Sequence, residues 1–355
     1  MNGEGAPKGE AMTKQIVSRA LILATAVLVL NGCKSETAKD AKEDPVLVID
    51  AGQEPREALR YKIAPGTTTT SRMEYALASL ATTKNAAELS VTPGVRLHIV
   101  SGPSMEGKRG TIRFDVRIVK AEAIVPEGTD PAVKMDLDKS VAVLNNVGGW
   151  VEVDDRGIIQ RSDLNSRAKN PEVPARLLLM IVNARTSLAR VLLPAEPVGV
   201  GARWEASKKL SLYGFEIDQS DTYTLVERNG DQLKLNVQIQ QTAPAQTVAF
   251  DEEGVELTLE SLTMNANGKV ILDLKALEAN ARASGEAADL LKVKTPEGTE
   301  EVEIDSAFDV QMSVTYAIEE TIDEAKEELK EAKKTRRAAE EIGDITEEKL
   351  EAPQE

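Results

Sequence analysis

The chain of 355 residues contains one cysteine and one histidine, and 3% of its residues are aromatic. A single cysteine excludes an intrachain disulfide. A single histidine, His98, leaves a zinc centre to be built almost wholly from carboxylates, and leaves a Ser-His-Asp arrangement one possible base. So few aromatic rings argue against recognition of sugars or bases by stacking. Long apolar runs are also missing. The uncharged stretch Ala20–Leu30 holds eleven residues, about 16 Å of helix, against a hydrocarbon core of roughly 30 Å. Positive charge is in deficit as well: 43 basic against 59 acidic residues give a net charge of -16 and a pI near 4.8. Such a field repels polyanions and excludes nucleic acid as a partner.

What is there begins with the first 33 residues. Lys14 and Arg19 precede the apolar run, and Asn31, Gly32 and Cys33 close it. A positive start, a short apolar middle and small residues at a cut site are the three parts of an export signal. Its n-region begins at Met12, so both Met1 and Met12 stand as starts.

The closing residues "LNGC", Leu30 to Cys33, resemble the lipobox of bacterial lipoproteins. The resemblance implies cleavage between Gly32 and Cys33, diacylation of the Cys33 sulfur and acylation of the new amine. The alternatives are an ordinary secretory signal and a buried core thiol, and the second fits this flank badly. Two or three acyl chains anchor a protein stably, so the membrane is the expected partner, through acylated Cys33. Lys34 resembles the sorting position of lipoproteins sent to the outer membrane in enteric-type bacteria. The expected location is therefore the cell envelope, with the outer membrane favoured over the inner. Removing residues 1–32 takes away three basic and two acidic residues and leaves a net charge of -17.

Residues 33–45, with "KSETAKDAKEDP", are charged and lack large apolar side chains, as a solvated tether does. From "VLVID" at Val46 onward, period-two alternation dominates, the mark of strands with one buried face. "QLKLNVQIQ" sets Leu233, Leu235, Val237 and Ile239 on one side. "VRLHI" does the same with Val95, Leu97 and Ile99, "TIRFDVRI" with Ile112, Phe114, Val116 and Ile118, and "FDVQMSVTY" with Phe308, Val310, Met312, Val314 and Tyr316.

At Asn229-Gly230 a three-residue hairpin loop, Arg228 to Gly230, predicts Leu225 opposite Leu233 and Tyr223 opposite Leu235, with Gly230 left-handed. The stretch from Val95 to Arg117 aligns with the stretch from Val255 to Lys275 once two residues are gapped, an alignment that raises an internal duplication as one alternative and chance strand similarity as the other. Between the halves, Pro174, Leu177, Leu178, Ile181, Leu188, Val191 and Leu192 predict an amphipathic helix ended by Pro194.

The predicted fold class is therefore mainly β with minor α: a large antiparallel sheet or two half-barrel-like β units, one central packed helix and a charged C-terminal helix. The organisation is 1–32 signal peptide, 33–45 tether, 46–170 first β unit, 171–194 amphipathic helix, 195–317 second β unit and 318–355 charged tail, with 14 acidic and 7 basic residues from Ile318 on.

Chemistry-bearing motifs are few. His98 falls on the polar side of its strand, and "GPSMEG" around Ser104 misses the nucleophile-elbow spacing. Asp154 with Asp155 and Asp251 with Glu252 adjoin glycines and read as turns. "PVGVGARW" lacks the third glycine and following helix of a phosphate loop, so its glycines predict close backbone approach and Trp204 predicts core. "NNVGGWVEVDDRG" predicts a turn into a hairpin around Trp150. "LLPAEPVGVGARWE" resembles stretches of uncharacterised bacterial lipoproteins.

No catalytic residue, metal ligand or cofactor is assigned. The function expected is a non-enzymatic envelope binding or structural module whose partner is an envelope protein or an apolar ligand. The alternative is a lipid carrier, since curved sheets crossed by a helix resemble periplasmic lipid carriers. A carboxylate-dependent hydrolase is the remaining reading.

Overall fold

A computed structural model describes residues 44–84, 86–142, 144–145, 147–163, 189–212, 215–249, 256–295 and 298–316. Cys33, most of the tether, the helix expected over 171–188 and the charged tail from 318 lie outside the described residues. The chain divides into a large unit, Met1–Val314, and a small one, Thr315–Glu355, of which two residues are described.

The architecture is mainly β. The strands are β1 (Val46–Asp50), β2 (Thr69–Thr82), β3 (Ala87–Ser101), β4 (Met105–Glu106), β5 (Ile112–Ile124), β6 (Gly148–Val153) and β7 (Ile159–Asp163), followed after 164–188 by β8 (Arg203–Leu212), β9 (Phe215–Asn229), β10 (Gln232–Ala243), β11 (Gln246–Ala249), β12 (Glu256–Asp273), β13 (Asn280–Thr295) and β14 (Gly298–Tyr316). They form one 14-stranded sheet in the order β1-β8-β9-β10-β12-β13-β14-β2-β3-β5-β6-β7, with β11 beside β12 and β4 beside β5. Both halves of the chain thus share one sheet, joined where β14 lies beside β2, and the choice between one sheet and two falls to the single sheet.

The alternation read from the sequence is the alternation of burial. Val95, Leu97, Ile99, Phe114, Val116, Ile118, Leu233, Leu235, Val237, Ile239, Phe308, Val310 and Met312 are all buried. They pack into one continuous core cluster that draws on every long strand. The polar residues between them face outward, including His98 on β3, whose Nε2 lies 3.1 Å from a Glu122 carboxylate oxygen.

Three expectations are corrected. The β9–β10 hairpin turns over two residues, Gly230 and Asp231, so that Gln232 faces Asn229 and Leu225 faces Leu235, not Leu233. A bulge at Val226 absorbs the difference and keeps both apolar faces in phase. Gly230 does take the left-handed conformation, with φ of 61°. The aligned halves are not structural equivalents either. The stretch from Val95 folds as β3, a turn with β4, and β5, whereas its counterpart, from Glu256 on, is the single strand β12. Finally, residues 189–194, the end of the expected central helix, are irregular rather than helical. The only α-helix among the described residues is α1 (Pro131–Ala142), which buries no side chain. It escaped the pattern reading because Val133, Met135 and Leu137 alternate with Lys134, Asp136 and Asp138, as they would in a strand. Its signals are Pro131 in the first turn and Asp130 before it, whose Oδ1 accepts the Ala132 N–H at 2.7 Å.

A plug of irregular chain fills one end of the sheet's inner side. It consists of Leu59 to Lys62 and Ala189 to Leu193, with Leu59, Val191 and Leu193 almost fully buried. The Tyr61 N–H donates to the Asp155 carbonyl at 2.7 Å and the Lys62 N–H to the Leu274 carbonyl at 2.7 Å. Trp204 Nε1 donates to the Leu192 carbonyl at 2.8 Å, and the indole stacks on Tyr223 with centroids 5.7 Å apart. The expectation for Trp204 holds, as does that for Gly199, where a Cβ would sit 1.7 Å from the Gln53 carbonyl oxygen; Gly201 instead has open space around it and is required by its positive φ of 85°.

A close approach between strands occurs at β12 and β13, where Gly285 faces Ala266. A Cβ on Gly285 would meet the Asn265 carbonyl oxygen at 2.3 Å and the Ala266 Cβ at 2.6 Å, far inside the roughly 4.5–5.5 Å of ordinary facing Cβ pairs. Gly285→Ala is therefore expected to cost about 2–3 kcal/mol of stability. Gly201→Ala, with φ of 85° but open space around the position, is expected to cost about 1 kcal/mol. Urea unfolding of the two variants checks the order.

Candidate functional site

The two ends of the sheet meet at Arg156, in the turn between β6 and β7. Asp154 shapes that turn, its Oδ1 accepting the N–H groups of Arg156 and Ile158 at 3.0 and 2.9 Å. The Arg156 guanidinium then reaches the first described residue, Asp44, through two parallel bonds of 2.7 and 2.8 Å. Its Nε donates to the Leu193 carbonyl at 2.8 Å, and the Leu193 N–H donates to the Arg156 carbonyl at 3.0 Å. This fork geometry is the strong form of an ion pair. Hydrogen bonding to Arg156 holds the Asp44 carboxyl below its ordinary range and raises the guanidinium. The Asp44 end of the tether is thereby fixed to the plug and to the far edge of the sheet.

Inside the sheet, several polar groups occupy positions whose strand phase is apolar. On β8 and β9, Lys208 Nζ lies 2.5 Å from Asp221 Oδ2, and Gln219 Nε2 donates to Asp221 Oδ1 at 2.6 Å. Gln241 of β10 donates to Gln219 Oε1 at 2.8 Å, and the Tyr223 hydroxyl donates to Asp221 at 3.4 Å. Burial and then the Asp221 charge push the Tyr223 phenol well above its usual range. Asp221 thus accepts three hydrogen bonds, and the Tyr223 phenol holds its proton. Further along, the Ser79 and Ser306 hydroxyls bond at 2.8 Å. Ser101 donates a short hydrogen bond to the buried Glu278.

Two buried ionisable groups are less well served. Arg190, 4% exposed in the plug, lies with its Cζ 4.9 Å from the Phe114 ring centroid, and its Nη1 has no hydrogen-bond partner among the described residues. Burial lowers its pKa. Asp289 on β13, 3% exposed, faces Leu262 on β12 and Ile304 on β14, and neither of its carboxylate oxygens has a hydrogen-bond partner among the described residues. Burial, reinforced by the Asp305 charge, pushes its pKa up to about 7.

Two hollows indent the surface. One of about 400 Å³ lies over β8–β10 beside Lys209, Asp218 and Thr242. The other, about 500 Å³, runs over β12, β13, β14, β2 and β3, with Ala288 and Ala307 beneath, Leu80 and Leu89 on one side and Glu286 on the other. Among the described residues, no group of three or more His, Cys, Asp or Glu side chains could hold a metal ion.

Of the positions singled out in the sequence, Asp154, Asp155, Trp150, Trp204 and Gly199 fall where the pattern placed them. Ser104 is a buried pin: its hydroxyl donates to the Ala64 carbonyl at 2.6 Å and accepts the Thr67 N–H at 2.9 Å. Gly32, Cys33, Asp251 and Glu252 lie outside the described residues. Asp44, Arg156, Lys208, Asp221 and Asp289 were missed. For Asp221 and Asp289 a signal existed, since each breaks an apolar phase.

The class defined by this fold is a mainly β protein built on one large antiparallel sheet with a packed inner face. Residues 187–276 match a family described as a family of unknown function, DUF6263, a span running from the plug through β12. No curated protein matches. Among solved structures, a mutant porin of Rh. blastica aligns with a TM-score of 0.18 at 7% identity, covering 68% of this chain and 99% of that one. Pseudomonas aeruginosa OccK8 (OprE) gives 0.17 at 6% identity, over 72% and 100%. An outer membrane channel from Pseudomonas putida F1 gives 0.14 at 11% identity, over 71% and 98%. TM-scores this low carry no argument about fold or function.

Two outcomes follow from the ionic groups. Arg156→Ala removes the fork to a half-exposed Asp44, so a loss of about 2 kcal/mol is expected, with faster amide exchange in β1 than in β13 by hydrogen-exchange mass spectrometry. For Asp289, the folded chain keeps its proton to about pH 7 and the unfolded chain only to about pH 3.9. Between these values folding takes up a proton, so stability falls as pH rises through that window and stays low above it. Asp289→Asn lacks that step. It is expected to match the wild type near about pH 4 and to exceed it near about pH 8 by on the order of 4 kcal/mol, read from urea midpoints at the two pH values.

Proposed function

We propose that this is an exported envelope lipoprotein, cut before Cys33 and held by its acylated N-terminus, whose body is a non-enzymatic binding or structural module. The observation that carries the reading is "LNGC" at Leu30–Cys33, after a charged start and an uncharged run. The start of the body at Asp44 supports it, because the ion pair with Arg156 gives an anchored tether a fixed point of attachment. Lys34 supports delivery to the outer membrane.

The chemistry of the interior supports a module over an enzyme. Asp221 accepts hydrogen bonds from Lys208, Gln219 and Tyr223, Asp289 lies opposite Leu262 and Ile304, and His98 stands on the outer face with Glu122. A carrier would need room on the inner face for an apolar chain. The small residues that could provide it, Ala266 and Gly285, are used by the close approach of β12 to β13. Trp204, Phe114 and Phe215 are fully buried against protein.

Expression with the native signal in a Gram-negative host tests the reading. The wild type is expected to fractionate with membrane and to carry the acyl mass on Cys33. Cys33→Ser is expected in the soluble periplasmic fraction, with no stoichiometric lipid in its organic extract. An unmodified wild-type Cys33 overturns the anchor, and a stoichiometric lipid retained by the Cys33→Ser body makes the protein a carrier.

A further inference from the structure

Exposed large apolar side chains are not spread evenly over the outer face. Of the ten among the described residues, Leu47, Ile49, Val200, Val226 and Ile271 gather at the end of the sheet reached by β1, and Leu47 is 68% exposed. The register places them together. Leu47 pairs with Glu205 and Asp50 with Arg203, so Leu47 and Ile49 lie on the outer side of β8, opposite in phase to buried Trp204. The Gln53 N–H donates to the Val200 carbonyl at 2.9 Å and the Gly201 N–H to the Leu225 carbonyl at 2.8 Å, which brings Val200 beside both β1 and the bulged Val226. Lys234 faces Glu227 on one side and Ile271 on the other, which extends the strip across β10 to β12. Scattered single apolar residues are ordinary on a surface, but a strip of them edged by polar groups marks a contact.

We propose that this strip is the face on which the body rests against the bilayer that carries the Cys33 acyl chains. The inference rests on the anchored reading above. The place where the chain arrives decides the occupant. Asp44, fixed by Arg156, stands three residues before Leu47, and Cys33 lies eleven residues before Asp44, a reach of at most about 40 Å. The anchor therefore holds this end of the sheet within reach of the lipid surface. Arg203 and Lys234 lie among the apolar positions together with Glu205, opposite Leu47, and Glu227, which pairs with Lys234 at 2.7 Å, so the strip mixes apolar side chains with charges of both signs, as the boundary between headgroups and acyl chains does. A second copy is a poor occupant, since each chain is strongly acidic.

The test uses the full lipidated chain in phosphatidylcholine vesicles. Acylation blocks the Cys33 thiol, so Ile49→Cys, Val226→Cys and, as an outer-face control, Leu89→Cys can each be labelled with an environment-sensitive fluorophore. Lipids carrying a quencher within the acyl region are expected to quench the labels at positions 49 and 226 and to leave that at 89 unchanged. Equal quenching at all three sites, or none at 49 and 226 while intact mass shows an acylated Cys33, overturns the inference alone. An unmodified Cys33 overturns the anchor and this inference with it. Shielding of both labels in a Cys33→Ser, vesicle-free sample of dimeric mass assigns the strip to a second copy and overturns it as well.

Discussion

A sheet of fourteen strands with one apolar face must bend until that face is out of water, and most of this structure answers that requirement. The strands alternate cleanly, so the outer side is solvated and the inner side gathers into one cluster. Bending brings facing side chains closer on the inside than on the outside. The inner positions of β12 and β13 accordingly carry Ala266, Ala283, Gly285 and Ala287, and bulges interrupt the register at Val226 and between Leu259 and Ser261. Where bending alone does not close the end, irregular chain does so. The plug residues Leu59, Tyr61, Val191 and Leu193 sit under Trp204 and the β6–β7 turn, their peptide groups bonded to strands and turns rather than left bare.

Polar groups inside such a sheet serve different ends. The Lys208–Asp221 pair is surrounded by amides and a phenol that complete its bonding, so it ties three neighbouring strands together at little net gain over an apolar packing. The Arg156–Asp44 fork differs because it joins residues far apart in sequence, at the two ends of the sheet, where no backbone ladder does so. Asp289 belongs to neither type. It is a carboxyl kept largely protonated by its surroundings, a cost to the folded state at alkaline pH that its immediate neighbours do not relieve.

The same arrangement sets the first described strand in place. The chain arrives at Asp44, is clasped by Arg156, pairs as β1 along β8 and leaves Leu47 and Ile49 outward. One ion pair thus ties the start of the described chain to the β6–β7 turn. The strongly negative net charge of the chain disfavours close contact with anionic partners.

Period-two alternation was enough to determine the mainly β class, the buried faces of β3, β5, β10 and β14 and the strand bounds of "VLVID", because the side-chain period of a strand is a local property. The lipobox resemblance, equally local, was legible in four residues. Register was not: the β9–β10 pairing depends on whether a bulge or a longer loop absorbs one residue, and both keep the apolar face inward, so pattern alone could not choose. The helix α1 was missed because it rests on the sheet without fully burying a side chain, and the end of the expected central helix became plug because the cavity under Trp204 needed irregular chain with its carbonyls turned to the indole and to Tyr61. The interior acids could be seen as breaks of phase at Asp221 and Asp289, but their partners could not. Which charge lies opposite which, and that Arg156 holds Asp44 across 112 positions, follows from the bending of the whole sheet, which no local window contains.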